Sequence, residues 1–293
     1  MIEVKNISKC YEKGKDVLQK VNLRIEDGCV FGLVGINGAG KSTLLRLLSG
    51  VMRVDEGEVL IDGENVFENE YVKRNVFFLP DDPFYTSGVT AIGLAEMYRS
   101  VYDFDDNAFE EYLQKFTLDG KKPIRNFSKG MKRQVFVALA FAIAPKYLFL
   151  DEAFDGLDPL ARMTFKRGLI RLVEEKNTTV IISSHSLREL EDICDGYGIL
   201  DHGCITCSGD LESDLTKLHK FQAAFDRQVT AKEFGFDCMS FTQEGKVVRL
   251  IAKGDADELL QQIEALQPLF VEEIGVDFEE LFIGEVESRG YLQ

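Results

Sequence analysis

Basic residues are the minority charge in this chain. Its 34 lysines and arginines stand against 50 aspartates and glutamates, a formal net charge of −16. A general nucleic-acid binder shows a basic face, so this balance argues against nucleic acid as a partner. Long apolar runs are also missing. No stretch approaches the roughly 20 residues that a bilayer-spanning helix needs. No secretory leader is visible either, so a soluble, cytoplasmic protein is expected. Cysteine is sparse and scattered, six in 293 residues. Cys204-Ile205-Thr206-Cys207 is the one close pair. No second pair or histidine cluster completes a zinc site, so reduced thiols are expected. Histidine occurs only three times. Internal repeats and low-complexity segments are absent, which leaves a repeat architecture without support.

What is present is a set of short motifs in one order. Residues 35–43 read Gly-Ile-Asn-Gly-Ala-Gly-Lys-Ser-Thr. The apolar run Val30 to Val34 before them predicts a buried strand, and Lys41 to Leu48 after them has helical apolar spacing. A loop joining a strand to a helix N-terminus points backbone N–H groups and the positive end of a helix dipole at one spot, which favours an anion. Gly38 and Gly40 let the backbone approach that anion closely. Lys41 is placed to reach the outer phosphates of a nucleotide, and the Ser42 hydroxyl to ligate Mg²⁺. A glycine-rich turn with an exposed lysine is the plainer alternative.

A second apolar run, Tyr147-Leu148-Phe149-Leu150, ends in Asp151-Glu152. Acids at the C-terminal end of such a strand sit where α/β sheets bind ligands. Asp151 suits Mg²⁺, directly or through water. Glu152 suits the orientation and deprotonation of an attacking water. Asn126-Phe-Ser-Lys-Gly-Met-Lys-Arg-Gln134 places Ser128 as a helix N-cap before a helix from Met131 to Ala144. A serine hydroxyl and the Gly130 N–H at that helix start can bind a phosphate, or simply cap the helix. Gly156-Leu157-Asp158 and Ser183-Ser184-His185 complete the series.

Taken together and in this order, these motifs resemble the nucleotide-binding subunit of an ABC transporter, over about residues 1–215. The resemblance implies a P-loop α/β core with an antiparallel β subdomain and an inserted helical subdomain at about 89–145. It implies ATP and Mg²⁺ as cofactors and ATP hydrolysis as the activity. Gly35, Asn37, Gly38, Ala39, Gly40, Lys41, Ser42 and Thr43 would form the Walker A loop. Ser128, Lys129 and Gly130 stand where the family carries a Leu-Ser-Gly-Gly-Gln-like signature, with Lys129 and Met131 replacing Gly and Gln. That signature would contact the ATP held by a second subunit, so a homodimer or heterodimer is implied. Asp158 resembles the D-loop aspartate at the dimer seam, and it also suits a helix cap before Pro159. His185 resembles the switch histidine at the γ-phosphate. Tyr11 resembles the aromatic that stacks on adenine; a half-buried edge tyrosine is the alternative.

One position departs from the family. After Val76-Phe77-Phe78-Leu79, where Gln is usual, the chain reads Pro80-Asp81-Asp82-Pro83. Asp81 can replace Gln in the metal shell, or it can be a turn residue between prolines. Membrane permease subunits are the implied partners, with the chain peripheral on the inner face of the cell membrane, most like exporters with separate membrane subunits. A soluble ABC protein of DNA repair or translation would favour tandem cassettes, a coiled coil or a zinc hook, none of which appears. A slow regulatory subunit has only Asp81 in its favour.

Residues 216–293 lie outside the motifs. Val247 to Ile251 predicts a strand. Asp255 to Leu266 predicts an amphipathic helix, with Leu259, Leu260, Ile263 and Leu266 on one face. Glu279 to Ile283 predicts a short helix. A small α+β accessory domain is expected there.

Overall fold

The computed structural model describes residues 1–12 and 14–287. The chain divides into two compact units, one running Met1–Ser208 and the other beginning at Gly209.

Two sheets build the first unit. One is antiparallel in the order β2-β1-β4-β5, made of β1 (Ile2–Glu12), β2 (Lys15–Ile25), β4 (Glu56–Ile61) and β5 (Glu64–Asn65). The other has the order β10-β9-β3-β8-β7-β6. Its members are β3 (Val30–Val34), β6 (Val76–Leu79), β7 (Tyr147–Asp151), β8 (Thr179–Ser184), β9 (Gly196–Asp201) and β10 (Cys204–Asp210). From β9 to β6 the pairs are parallel. Every residue of β3, β7 and β8 is buried, because a parallel sheet is covered on both faces. These strands therefore read as unbroken apolar runs, and that is why the sequence exposes them.

Register does the work of assembling the site. Val34 of β3 lies beside Ser184 of β8, and Asp151 of β7 lies beside Ser183. The residues that follow each strand, Gly35, His185 and Glu152, must then emerge at one edge of the sheet.

Helix α1 (Lys41–Leu48) is wedged into the core with Leu44, Leu45, Leu47 and Leu48 buried. These leucines join Val4, Ile7, Val59 and Ile61 of the antiparallel sheet and Phe149 and Ile181 of the parallel one. Full burial of each such side chain is worth about 1.5–3 kcal/mol, so α1 is anchored to both sheets. Helix α2 (Glu70–Lys73) follows β5.

Between β6 and β7 the chain is helical: α3 (Ala91–Arg99), α4 (Asp106–Lys115) and α5 (Lys129–Ile143). The side chains of Thr90, Asp105 and Ser128 cap them, accepting from the N–H groups of Gly93, Ala108 and Met131. Helix α3 ends at Arg99 and is C-capped by Ser100. Tyr102 leaves the helix to donate its hydroxyl to the Val76 carbonyl at 3.0 Å. Helix α5 packs against α3, α4 and α6 (Pro159–Lys176). Helix α7 (Leu187–Glu191) follows β8.

The second unit is an antiparallel sheet in the order β12-β13-β11-β14. Its strands are β11 (Leu218–Ala224), β12 (Cys238–Glu244), β13 (Val247–Lys253) and β14 (Phe270–Ile274). Helix α9 (Ala256–Glu264) buries Leu259 and Ile263 in a core with Phe221, Phe225, Phe234, Val248 and Leu250. Helix α8 (Leu211–Leu215) packs against α10 (Phe278–Glu287), and Leu211 is buried. That packing assigns residues 211–215 to the second unit, so the seam lies before the expected break after residue 215.

Candidate functional site

The loop between β3 and α1 is shaped by its glycines. Gly38 and Gly40 have φ of 85° and 110°, a region that costs any other residue strain. At Gly35 a Cβ would overlap the carbonyl oxygen of Leu200. Gly40 stands at the N-cap of α1 with no side-chain cap, so the first-turn N–H groups have no side-chain acceptor. Such a helix start suits a phosphate. Ile36, Asn37 and Gly38 are exposed, whereas Ala39 is buried.

Lys41 is nearly buried, folded back along its own loop. Its Nζ donates to the Gly35 carbonyl at 2.7 Å and the Ile36 carbonyl at 3.4 Å, and lies 3.6 Å from Glu152 Oε1. Thr43 is held from the other side: Tyr11 Oη and Thr43 Oγ1 are 3.1 Å apart. The Tyr11 residue remains 52% exposed, consistent with either a stacking face or an edge position. Ser42 is half-buried on the first turn of α1.

At the end of β7, Asp151 is buried and its Oδ1 accepts from Ser183 Oγ at 2.7 Å. The same Ser183 Oγ accepts from the Glu152 N–H at 3.0 Å. One serine therefore fixes both carboxylate residues. Glu152 takes φ of 48°, a left-handed conformation that costs of order 1–3 kcal/mol in a non-glycine residue. The surrounding bonds over-determine it. Its Oε2 sits 2.8 Å from His185 Nδ1 and accepts from the His185 backbone N–H at 3.3 Å. The hydrogen bond to Glu152 raises the His185 pKa above the ordinary imidazole value, with burial opposing and the charges of Glu152, Asp155 and Glu189 adding to the rise. The result is a continuous chain of polar contacts: Lys41, Glu152, His185.

The signature segment lies on α5. Ser128 Oγ accepts from Met131 N–H at 3.2 Å, the capping geometry expected of it. Gly130 packs on the backbone of Gly156, where a Cβ would overlap the Gly156 carbonyl oxygen. Lys129 is exposed and spans two acids, with Nζ 3.6 Å from Asp81 Oδ1 and 3.6 Å from Asp155 Oδ2. Asp155 in turn reaches His185 Nε2 at 4.0 Å. Asp158 caps α6 through Oδ1 to the Ala161 N–H at 2.9 Å, with Pro159 next as a favoured first helical residue.

Asp81 is engaged by the helix that follows the signature. Its Oδ1 is 2.7 Å from Arg133 Nη2, and its own carbonyl accepts from the same nitrogen at 2.6 Å. A carboxylate flanked by two cations already has its charge answered. Thus the structure gathers Lys41, Asp151, Glu152 and His185 at one sheet edge, while Asp81 turns to α5. Sequence reasoning missed three residues here. Ser183 was visible within its motif but carried no assigned role. Asp155 sat unremarked between two motifs. Arg133 was the legible one, a lone arginine in a helix otherwise rich in valine, alanine and leucine.

Comparison with known proteins bears on this geometry. The ABC transporter family model matches residues 18–155. The chain is 32% identical over 287 residues to the ABC transporter ATP-binding protein YtrB of Bacillus subtilis (strain 168), covering 97% of this chain and 98% of that one. It is 30% identical to the bacitracin transport ATP-binding protein BcrA of Bacillus licheniformis, covering 100% of this chain and 96% of that one. Its fold is similar to a solved ATP-binding subunit of an ABC transporter, with a TM-score of 0.67, 29% identity, and coverage of 73% of this chain and 91% of that one.

Proposed function

Starting from the fact that the chain belongs to the ABC transporter ATP-binding family and is an ATPase, we propose that it hydrolyses ATP at Glu152 to drive an exporter whose membrane subunits are separate chains. The observation that carries the residue assignment is the contact chain Lys41–Glu152–His185 beside the glycine loop. On this reading the loop N–H groups and Lys41 bind the phosphates, with Asn37, Ala39 and Thr43 completing the cradle. Lys41 gives up its carbonyl contacts to do so. Ser42 and Asp151 offer the hard oxygen donors that Mg²⁺ takes, and on this reading they would hold that ion. When bound, Mg²⁺ would neutralise phosphate charge. Glu152 orients the attacking water and accepts its proton. His185 holds the Glu152 carboxylate in place and faces the outer phosphate. Phosphoryl transfer asks mainly for positioning and charge stabilisation, which this residue set supplies.

The same reading has two chains sandwiching two ATP molecules, each between the loop of one and Ser128, Lys129 and Gly130 of the other, with Asp158 at the seam and Tyr11 on adenine. Membrane permease subunits complete the machine, which places the chain on the inner membrane face. Among the described residues no helix is long and apolar enough to cross a membrane. Tyr71, Phe84, Met97 and Val101 are exposed apolar side chains, Phe84 at 88% exposure, and on this reading they are candidates for contact with the membrane subunits. The relative named for bacitracin transport supports transport as the task. We further propose that residues from Gly209 onward act as an accessory domain.

The test is Glu152→Gln. With ATP and Mg²⁺ it should elute as a stable dimer in size-exclusion chromatography, where the unaltered chain is a dimer only transiently. A variant that stays monomeric while binding ATP would overturn the sandwich. Direction is read with inside-out vesicles carrying the whole transporter: ATP-driven accumulation inside them means export, and its absence with transport in the opposite orientation refutes it.

A further inference from the structure

Arg133 is the one arginine among the described residues that is buried, at 2% exposure. It lies on the second turn of α5, among Val135, Phe136, Val137 and Leu139, which are also buried. Moving a guanidinium out of water costs several kcal/mol unless its donors and charge are answered. Here they are. Nη1 donates to the Pro80 carbonyl at 2.9 Å and to the Asp151 carbonyl at 3.5 Å. Nη2 donates to the Asp81 carbonyl at 2.6 Å and to Asp81 Oδ1 at 2.7 Å. A rigid planar fork with several donors can hold several acceptors at once, which a lysine ammonium does not reproduce.

The acceptors come from two places. Pro80 and Asp81 follow β6, and Asp151 ends β7. The peptide carbonyl of Asp151 is the link to Glu152, the residue whose left-handed backbone needs holding. One side chain of the signature helix thus grips both the loop after β6 and the strand end that carries the hydrolytic carboxylates.

The charge is answered by Asp81 alone among these contacts, and Asp81 serves a second cation as well. Lys129, one turn before Arg133 on α5, lies 3.6 Å from the same Oδ1 and 3.6 Å from Asp155. Asp155 reaches His185, and His185 holds Glu152. A chain of close polar contacts therefore runs Arg133, Asp81, Lys129, Asp155, His185, Glu152. Its exposed middle is screened by water and is individually weak; its buried end at Arg133 is the firm one.

We propose that Arg133 is a positioning residue for ATP hydrolysis, with Asp81 as its counter-ion, together clamping the signature helix to the ends of β6 and β7. Asp81 then acts through charge on Arg133 and not through a metal. The proposal rests on Glu152 being the base, since the clamp matters to turnover only by fixing that strand end. The two cations explain why an acid occupies position 81. A neutral amide there would accept one hydrogen bond but leave a buried positive charge unpaired.

The experiment is a double-mutant cycle on the full chain, reading kcat, KM for ATP, the Mg²⁺ concentration for half-maximal activity, and the melting temperature. The variants are Asp81→Asn, Arg133→Gln and both together, with Glu152→Gln alongside. Arg133→Gln should lower kcat on the order of 10- to 100-fold, as misplacement of a catalytic group does, with KM changed less than about twofold. Asp81→Asn should lower kcat several-fold with the Mg²⁺ requirement unchanged. The double variant should be no slower than Arg133→Gln alone, because the two act as one unit. Additive losses, or an Asp81→Asn variant whose only change is a several-fold higher Mg²⁺ requirement, would overturn the clamp. If Arg133→Gln fails to fold, Arg133→Lys keeps the charge and loses the fork: a fall in kcat supports the clamp and unaltered kcat refutes it. Wild-type turnover by Glu152→Gln would instead remove the base assignment. In that case the coupling between positions 81 and 133 in melting temperature still reads the pair.

Discussion

Two buried cations flank the hydrolytic strand end, and they are held in opposite ways. Lys41 rests on two carbonyls of its own loop, with an acid at 3.6 Å. Arg133 reaches outside its own helix to three carbonyls and a carboxylate on two other segments. The lysine's hydrogen-bond partners are carbonyls of its own loop, so its ammonium can leave them for a ligand while staying beside Glu152. The arginine's partners are distant and structural, so moving it would disturb two strand ends. A point charge on a flexible stem suits the first task and a rigid fork suits the second. The difference teaches which cation binds and which one positions, although both are buried a short distance from the same carboxylates.

The comparison breaks most sharply at Lys41. Lys41→Ala should weaken ATP affinity on the order of 100-fold, the size of loss when a buried charge partner is removed, with little change in melting temperature. Calorimetric titration checks it, and unchanged affinity would reduce residues 35–43 to a turn. A positioning residue should show the converse pattern. Ser183→Ala removes the hydroxyl that joins Asp151 Oδ1 to the Glu152 N–H. It should lower kcat about tenfold while sparing ATP affinity, and cost about 1–3 kcal/mol in chemical denaturation.

A smaller effect is expected at Gly130→Ala, whose Cβ meets the Gly156 carbonyl oxygen. Either the start of α5 or the loop at 155–157 must shift, at a cost of about 1–3 kcal/mol in stability. Turnover should fall more than ATP binding by the isolated chain. The smallest effect concerns His185. Its folded-state pKa is raised, chiefly by the Glu152 hydrogen bond. The contact therefore stabilises the nucleotide-free chain fully below the unfolded value of about 6.5, and that stability is lost as pH rises through the higher folded value. The melting-temperature gap between the unaltered chain and His185→Ala should be widest in acid and close toward alkaline pH. A gap that widens with pH would contradict the pairing.

Much of this was legible in the sequence where function sits on contiguous residues. Val30 to Val34 and Tyr147 to Leu150 are apolar because parallel strands are covered on both faces, and the motifs follow them directly. The register of Val34 with Ser184 and Asp151 with Ser183 then follows from the sheet. What the sequence did not expose depends on partners far along the chain. Asp81 and Arg133 are 52 residues apart, and no local spacing tells a metal-facing aspartate from a counter-ion. In the second unit, β13 and α9 carried clear patterns, whereas β14 went unread because its residues are half-buried or exposed and show no clean alternation. Leu218 to Ala224 pairs on both edges, yet its mixed Leu-His-Lys-Phe-Gln-Ala-Ala sequence blurs the period of two.

The central claim is that Glu152, gripped between Lys41 and His185, is the base for ATP hydrolysis. Steady-state ATP turnover by Glu152→Gln, measured with ATP affinity on the same preparation, tests it most directly. The account predicts affinity within about twofold of the unaltered chain and a kcat lowered by at least about 100-fold, the lower end of general-base contributions. Turnover within twofold of the unaltered chain, at full ATP occupancy, would contradict it.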